Sequence, residues 1–119
     1  MSKVLVQITS GPEHATKAAL GFLVAKTAVD EGHDVDLFLL ADGVHFVKQQ
    51  VREVIAGLGG GTLADAFDGI KDGADLYASK MSLGARGIAE EEATSLGAQL
   101  GTPAILLKLA LEADANLTY

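Results

Sequence analysis

Apolar residues along this chain fall into short runs rich in β-branched and aliphatic side chains. The first run extends from Lys3 to Thr9, and comparable runs follow from Val35 to Leu40 and from Ala74 to Ser79. Nearly continuous apolar character over so few residues is typical of strands covered on both faces, as in a parallel sheet. We therefore predict a buried strand at each of these positions.

The segments between these runs carry apolar residues at spacings of three and four, which is the pattern of an amphipathic helix. We predict one helix from Glu13 to Glu31, ended by Gly32, and a second that begins at Val44 and continues through Leu58. Beyond the glycines at 59–61, Thr62 is expected to cap a shorter third helix.

The C-terminal part of the chain has a more mixed pattern. Between Ile88 and Leu100, glutamates, hydroxyl residues and glycines predict a short helix or turns. Thr102 followed by Pro103 is typical of a helix start, and the helix is apolar nearly all round from Ala104 to Leu111. Such a helix is either sandwiched between other elements or lies at a subunit contact. Asn116 to Tyr119 is predicted as a short final strand.

The alternation of strands and helices determines the predicted fold class. We predict that residues 1–119 form a single α/β domain, with three layers (α/β/α) around a mainly parallel sheet of about five strands. In such a sheet the loops that follow the strands gather at one edge, where ligands bind.

The net charge narrows the range of partners. Its value is −7, which repels phosphate backbones and anionic lipid, so we expect neither nucleic acid nor membrane as a partner. No apolar run approaches the roughly 20 residues of a membrane span. Met1-Ser2-Lys3 leads directly into a strand pattern and not into a secretory signal, so we expect a cytoplasmic protein.

The absence of cysteine excludes a further set of chemistries. With no Cys in the chain, disulfides, thiolate metal sites and thiol nucleophiles are all excluded. No group of histidines and carboxylates has the spacing of metal ligands, so we predict no metal site and no cofactor.

The loop after the first strand offers a possible anion site. Ser10-Gly11-Pro12 before a helix can hold an anion with hydroxyls and helix N–H groups, although the simpler interpretation is a strand-to-helix turn. His14 either lines the same pocket or is an exposed residue of the first helical turn. A serine nucleophile would need a base, and nothing in the sequence places His14 or His45 in that role.

The other two loops add an acid, hydroxyls and an arginine. Asp42-Gly43 is either a plain turn or an acid that orients an arginine or a ligand. Ser79, Ser82 and Arg86 together suit a small oxyanion or carboxylate. In the simpler interpretation Ser79 ends the strand, Ser82 caps the next helix, and Arg86 bridges to Asp42 or Glu90. The candidate ligand-binding residues are Ser10, Gly11, His14, Asp42, Gly43, Ser79, Ser82, Arg86 and Gly87; we predict no catalytic residue.

Several segments, in their order and spacing, resemble the DsrE/DsrF-like sulfur-relay family over nearly the whole chain. The matching segments are Ser10-Gly11-Pro12-Glu13, Gly32 to Leu39, Ala41-Asp42-Gly43-Val44, Arg86-Gly87-Ile88, and the tail from Glu112-Ala113-Asp114 to Leu117-Thr118-Tyr119. The resemblance implies a parallel α/β domain that assembles as homo-oligomers such as trimers or hexamers. It also implies a persulfide-carrying Cys in the loop before the Arg-Gly pair, at positions that correspond here to Ser79 and Ser82.

A serine oxygen cannot hold a transferable sulfane sulfur at neutral pH, because that chemistry requires a thiolate. We therefore expect a DsrE-like protein without persulfide transfer, acting as an oligomeric binding or partner protein with a pocket at the carboxyl edge of the sheet. One alternative is a protein or enzyme that binds a small anion or nucleotide fragment through Ser79, Ser82 and Arg86. Another is a Cys-less subunit of a hetero-oligomeric sulfur relay, paired with a Cys-bearing relative.

Overall fold

A five-stranded parallel sheet forms the centre of the fold in the computed structural model, which describes residues 1–55 and 63–119. The strands are β1 (Lys3–Ile8), β2 (Asp34–Leu39), β3 (Ala74–Ser79), β4 (Gln99–Gly101) and β5 (Ala115–Thr118). They lie in the order β4-β3-β2-β1-β5, and every neighbouring pair is parallel. The predicted fold class is confirmed.

Helices occupy the connections between the strands. They are α1 (Ala15–Asp30), α2 (Gln49–Val54), α3 (Leu63–Lys71), α4 (Lys80–Ala85), α5 (Glu90–Thr94) and α6 (Pro103–Glu112). Short 3-10 helices at Pro12–His14 and Ala41–Val47 follow β1 and β2. In the described part of the chain, no helix combines the length and the apolar character needed to cross a membrane.

One face of the sheet carries the main hydrophobic core. Because side chains alternate along a strand, Val4, Val6 and Ile8 of β1 all enter this core. Phe22 of α1 lies at its centre and meets the ring of Phe46 edge to face, with 5.2 Å between ring centroids. Helices α1 and α3 therefore cover this face, together with the 3-10 helix that follows β2.

The opposite face of the sheet is covered by α6, and the hydrophobic core on this face is smaller. Its buried centre consists of Leu5, Phe38 and Leu109. Phe38 stacks on Tyr77 of the neighbouring strand, with 5.7 Å between ring centroids. Helix α6 buries only Leu109 fully; Ile105, Leu106 and Ala110 are partly buried against this face, whereas Leu107 and Leu111 are exposed.

The helix predicted from Val44 through Leu58 is wrong in its first half. Residues Ala41–Val47 form a 3-10 helix, the backbone is extended at Lys48, and α2 then runs only to Val54. Residues three apart are eclipsed in a 3-10 helix, and this places both Val44 and Val47 in the core. Leu58 and the predicted Thr62 cap lie outside the described residues.

Two further details of the secondary structure also differ from what the sequence pattern predicted. Helix α1 begins at Ala15, after the 3-10 turn that opens at Pro12, and Gly32 follows its end with a φ of +84°. At the end of the segment predicted as a short helix or turns, Gln99–Gly101 forms the edge strand β4, which the sequence pattern did not predict. A three-residue strand is too short to show periodicity.

Candidate functional site

The loops that follow β1 and β2 pack directly against each other at the carboxyl edge of the sheet. A Cβ atom at Gly11 would lie 2.6 Å from the carbonyl oxygen of Asp42. A Cβ atom at Gly43 would lie 2.0 Å from the carbonyl oxygen of Ile8. Both glycines are buried, and each permits a backbone approach that any side chain would block.

Arg86, at the end of α4, joins this edge through Asp42. Its Nε and Nη2 atoms both donate to Asp42 Oδ1, at 3.1 and 2.9 Å. Its Nη1 atom donates to the backbone oxygen of Ser82 at 3.1 Å. Every nitrogen of the guanidinium group is therefore used within the protein, so the predicted bridge from Arg86 to Asp42 is present.

The hydroxyls of Ser79 and Ser82 both accept hydrogen bonds from backbone amides. Ser79 Oγ accepts from the amide of Ser82 at 3.2 Å and so caps α4, a role that the simpler interpretation of the sequence gave to Ser82. Ser82 Oγ accepts from the amide of Ala41 at 2.9 Å. Ala41 has a φ of +50°, which is unusual for a residue other than glycine, and the bond to Ser82 helps to hold it there.

The remaining candidate residues have separate positions. Ser10 is buried. His14 is exposed, and within residues 1–55 and 63–119 its side chain makes no hydrogen bond to the other candidates. Gly87 follows α4 with a φ of +65°, while its amide and that of Ile88 donate to Gly84 and Leu83. This is the Schellman pattern, so Gly87 terminates a helix.

The cavity beside the sheet edge contains only Ser79 of the candidate residues. It has a volume of about 120 Å³ and is lined by Phe38, Leu40, Ser79, Met81, Thr102, Pro103 and Leu106. A neighbouring cavity of about 230 Å³ shares Met81, Thr102 and Pro103 with it. Neither Ser82 nor Arg86 lines either of these two cavities.

The sequence pattern missed the apolar residues that shape this cavity. Thr102 and Pro103 were recognised only as a helix start, a role that the hydrogen bond from the Ile105 amide to Thr102 Oγ confirms. Their return beside Ser79 follows from the position of β4 next to β3, and the three residues of β4 carry no pattern that would place it there.

A buried carboxylate lies on the α6 face of the sheet. Asp36 is 1% exposed, and within the described residues its Oδ2 atom accepts no hydrogen bond. The amine of Lys3 is 3.7 Å from Asp36 Oδ2 and 3.3 Å from Asp34 Oδ2. Burial raises the pKa of Asp36, and the charge of Lys3 only partly offsets this effect.

Among residues 1–55 and 63–119, no three side chains of His, Asp or Glu come together in a group that could hold an ion.

Comparisons with known proteins bear on the whole chain. The family model described as the DsrE/DsrF-like family matches residues 2–119. The structure is similar to the crystal structure of the ychN protein from E. coli, with a TM-score of 0.77, 20% identity and 100% of each chain covered. It is also similar to a conserved protein of unknown function from Bacteroides thetaiotaomicron, with a TM-score of 0.71 and 13% identity over 99% of this chain and 95% of that one. A search of curated proteins finds no match.

Proposed function

Because the chain belongs to the DsrE/DsrF-like family along nearly its whole length, we propose that it is a DsrE-like protein that carries no persulfide. In this proposal it works in the cytoplasm as a homo-oligomeric binding or partner protein. The observation that carries the proposal is the absence of cysteine from all 119 residues. Without a thiolate the protein has no atom that can accept and pass on a sulfane sulfur.

The environment of the serines supports this proposal. Ser79 Oγ and Ser82 Oγ each accept a hydrogen bond from a backbone amide, at 3.2 and 2.9 Å. In the described part of the chain, no histidine is hydrogen-bonded to either hydroxyl to act as a base. Both hydroxyls therefore have structural roles.

The exposed apolar residues on the outer surface of α6 are evidence in favour of the proposed oligomer. Leu107 is 60% exposed and Leu111 is 78% exposed, one helical turn apart. Met81, beside the start of α6, is 72% exposed. Apolar side chains exposed together are typical of protein contact surfaces. We propose that a second copy of the chain covers this surface, in trimers or hexamers as the family resemblance implies.

The cavity beside Ser79 is the proposed binding pocket. Its lining by Phe38, Leu40, Met81 and Leu106 suits an apolar group of a ligand or partner. The alternative site for a small anion has weaker support, because Arg86 would first have to leave Asp42, to which it donates two hydrogen bonds.

A sulfur-loading experiment tests the absence of persulfide chemistry. The protein is incubated with inorganic polysulfide, and its intact mass is measured before and after treatment with a reductant. We expect no reducible sulfur on the natural chain. The variant Ser79→Cys, whose thiol would line the cavity, should gain reducible sulfur more readily than Ser82→Cys, which does not line it. Reducible sulfur bound to the natural chain would contradict the proposal.

A further inference from the structure

A third cavity lies on the other side of the sheet, away from Ser79, between α2 and α3. Its volume is about 350 Å³, which lies within the range of small-molecule sites. One face of α2 and one face of α3 form its walls, and the lining residues of each helix are mostly three or four positions apart. Leu96 completes the lining. The lining residues are Gln49, Arg52, Glu53, Ala64, Phe67, Asp68, Lys71 and Leu96.

Arg52 is the most buried charged residue in this wall. It is 7% exposed, although arginine is rarely buried unless it is paired. Its Nη1 atom donates to the carbonyl oxygen of Phe46 at 2.6 Å, and its guanidinium carbon lies 4.6 Å from the centre of the Phe67 ring. These two contacts hold the guanidinium group in a fixed position at the cavity.

The charge of Arg52 has no direct counter-ion in the described residues. No carboxylate oxygen of residues 1–55 or 63–119 lies within 4.0 Å of its nitrogens, despite the net charge of −7. Burial lowers the pKa of Arg52, although the more distant charges of Asp68 and Glu53 favour its charged form. A buried cation without a counter-ion costs folding free energy, which an anionic group from outside the chain would offset.

The charges around the cavity are balanced. Arg52 and Lys71 contribute positive charges, whereas Glu53 and Asp68 contribute negative ones. A simple anion such as phosphate would be attracted by the first pair and repelled by the second. A molecule with a carboxylate next to an ammonium group would satisfy both pairs.

We propose that this cavity binds a small zwitterion of the free α-amino acid class, with its carboxylate on Arg52 and Lys71 and its ammonium group on Asp68 and Glu53. The bidentate fork of arginine matches a carboxylate, and the contact with the Phe67 ring helps to hold that fork at the cavity. This site is independent of the proposed role of the Ser79 pocket and of the oligomer.

An NMR titration of the isotopically labelled protein tests this proposal. The probes are L-glutamate, L-leucine, L-lysine and inorganic phosphate, each added separately. At least one amino acid should shift the amide signals of α2 and α3 to saturation, whereas phosphate should not. Arg52→Lys and Asp68→Asn should each weaken that binding about tenfold or more, as expected for the loss of one charge-assisted hydrogen bond.

Asp68 is exposed, so Asp68→Asn tests the site even if an Arg52 variant fails to fold. Asp72→Asn is the matched control, because Asp72 is exposed just beyond α3 and does not line the cavity; it should bind like the natural protein. The proposal is overturned if no amino acid causes a saturable shift at millimolar concentrations. It is equally overturned if phosphate binds as well and Asp68→Asn strengthens that binding, since the site would then be one for simple anions.

Discussion

At the scale of single residues, the polar groups of the sheet edge bond to one another. Arg86 bridges Asp42 and the backbone of Ser82, Ser82 Oγ accepts from Ala41, and Ser79 Oγ caps α4. The alternation of strands and helices correctly predicted that these loops meet at one edge of the sheet. It could not show that their polar groups form hydrogen bonds with one another, because those bonds depend on side-chain geometry across two loops.

The bridge from Arg86 should contribute modestly to stability. Asp42 is about half exposed in its side chain, so solvent screens the ion pair. We expect Arg86→Ala to lower the free energy of unfolding by about 1 kcal/mol in urea titrations, with a coupling of about 0.5 kcal/mol to Asp42→Ala. Lys80→Ala, an exposed site on the same helix, should change it much less. A loss of several kcal/mol from Arg86→Ala would show that the bridge holds the loops together.

Buried Asp36 should give stability a measurable pH dependence. Its pKa in the folded protein is raised above the ordinary value of 3.8, so between these two values the folded state binds more protons than the unfolded state. The contribution of Asp36 to stability therefore rises as pH falls from neutral through the raised pKa. The groups facing it are Lys3 on β1, Asp34 on β2, and Asp75 and Tyr77 on β3.

Asp36→Asn removes this titration without changing the shape of the side chain. The stability of the natural protein relative to Asp36→Asn should increase as pH falls from neutral towards the ordinary value of 3.8 in chemical denaturation. The control variant Asp72→Asn, at an exposed position that is not among the groups acting on the Asp36 carboxylate, should leave this pH dependence unchanged. A relative stability that falls over this interval would mean that Lys3 stabilises the ionised carboxylate more than burial penalises it.

At the scale of secondary structure elements, segments with a clear local signal were predictable, whereas the type of a helix and the long-range pairing of a strand were not. The strand at Ala74–Ser79 and the helix start at Thr102-Pro103 match the structure, because each carries a local signal. The 3-10 helix at Ala41–Val47 does not match, because an α-helix and a 3-10 helix place valines three apart on similar faces. Strand β4 is defined by its pairing with β3, a long-range contact that no local pattern shows.

The close approach of the β1 and β2 loops is testable with a pair of glycine substitutions. A Cβ atom at Gly43 would lie 2.0 Å from the carbonyl of Ile8, whereas one at Gly84 would have no atom within 4 Å. We expect Gly43→Ala to destabilise the protein by about 1–3 kcal/mol in thermal or urea denaturation. Gly84→Ala, in an exposed helical position, should stabilise it by about 0.5–1 kcal/mol. Equal effects of the two substitutions would show that the loops can move apart freely.

At the scale of the whole molecule, the two faces of the sheet are covered unequally. The first face has α1, α3 and three phenylalanines in its core, whereas the second has the ten residues of α6. Helix α6 also presents Leu107 and Leu111 to the outside. The sequence indicated this surface by its apolar composition, but it could not show which leucines the sheet leaves uncovered.

The most direct test of the central claim is native mass spectrometry of the protein after exposure to inorganic polysulfide. We predict a homo-oligomer whose subunits have the unmodified mass. The double variant Leu107→Glu/Leu111→Glu should be monomeric, whereas Leu23→Glu, a partly exposed leucine on α1 across the sheet, should assemble normally. A monomeric natural protein would contradict the proposed oligomer. Subunits that retain sulfur, or that assemble only when a Cys-bearing relative is added, would contradict a homo-oligomeric protein without sulfur chemistry.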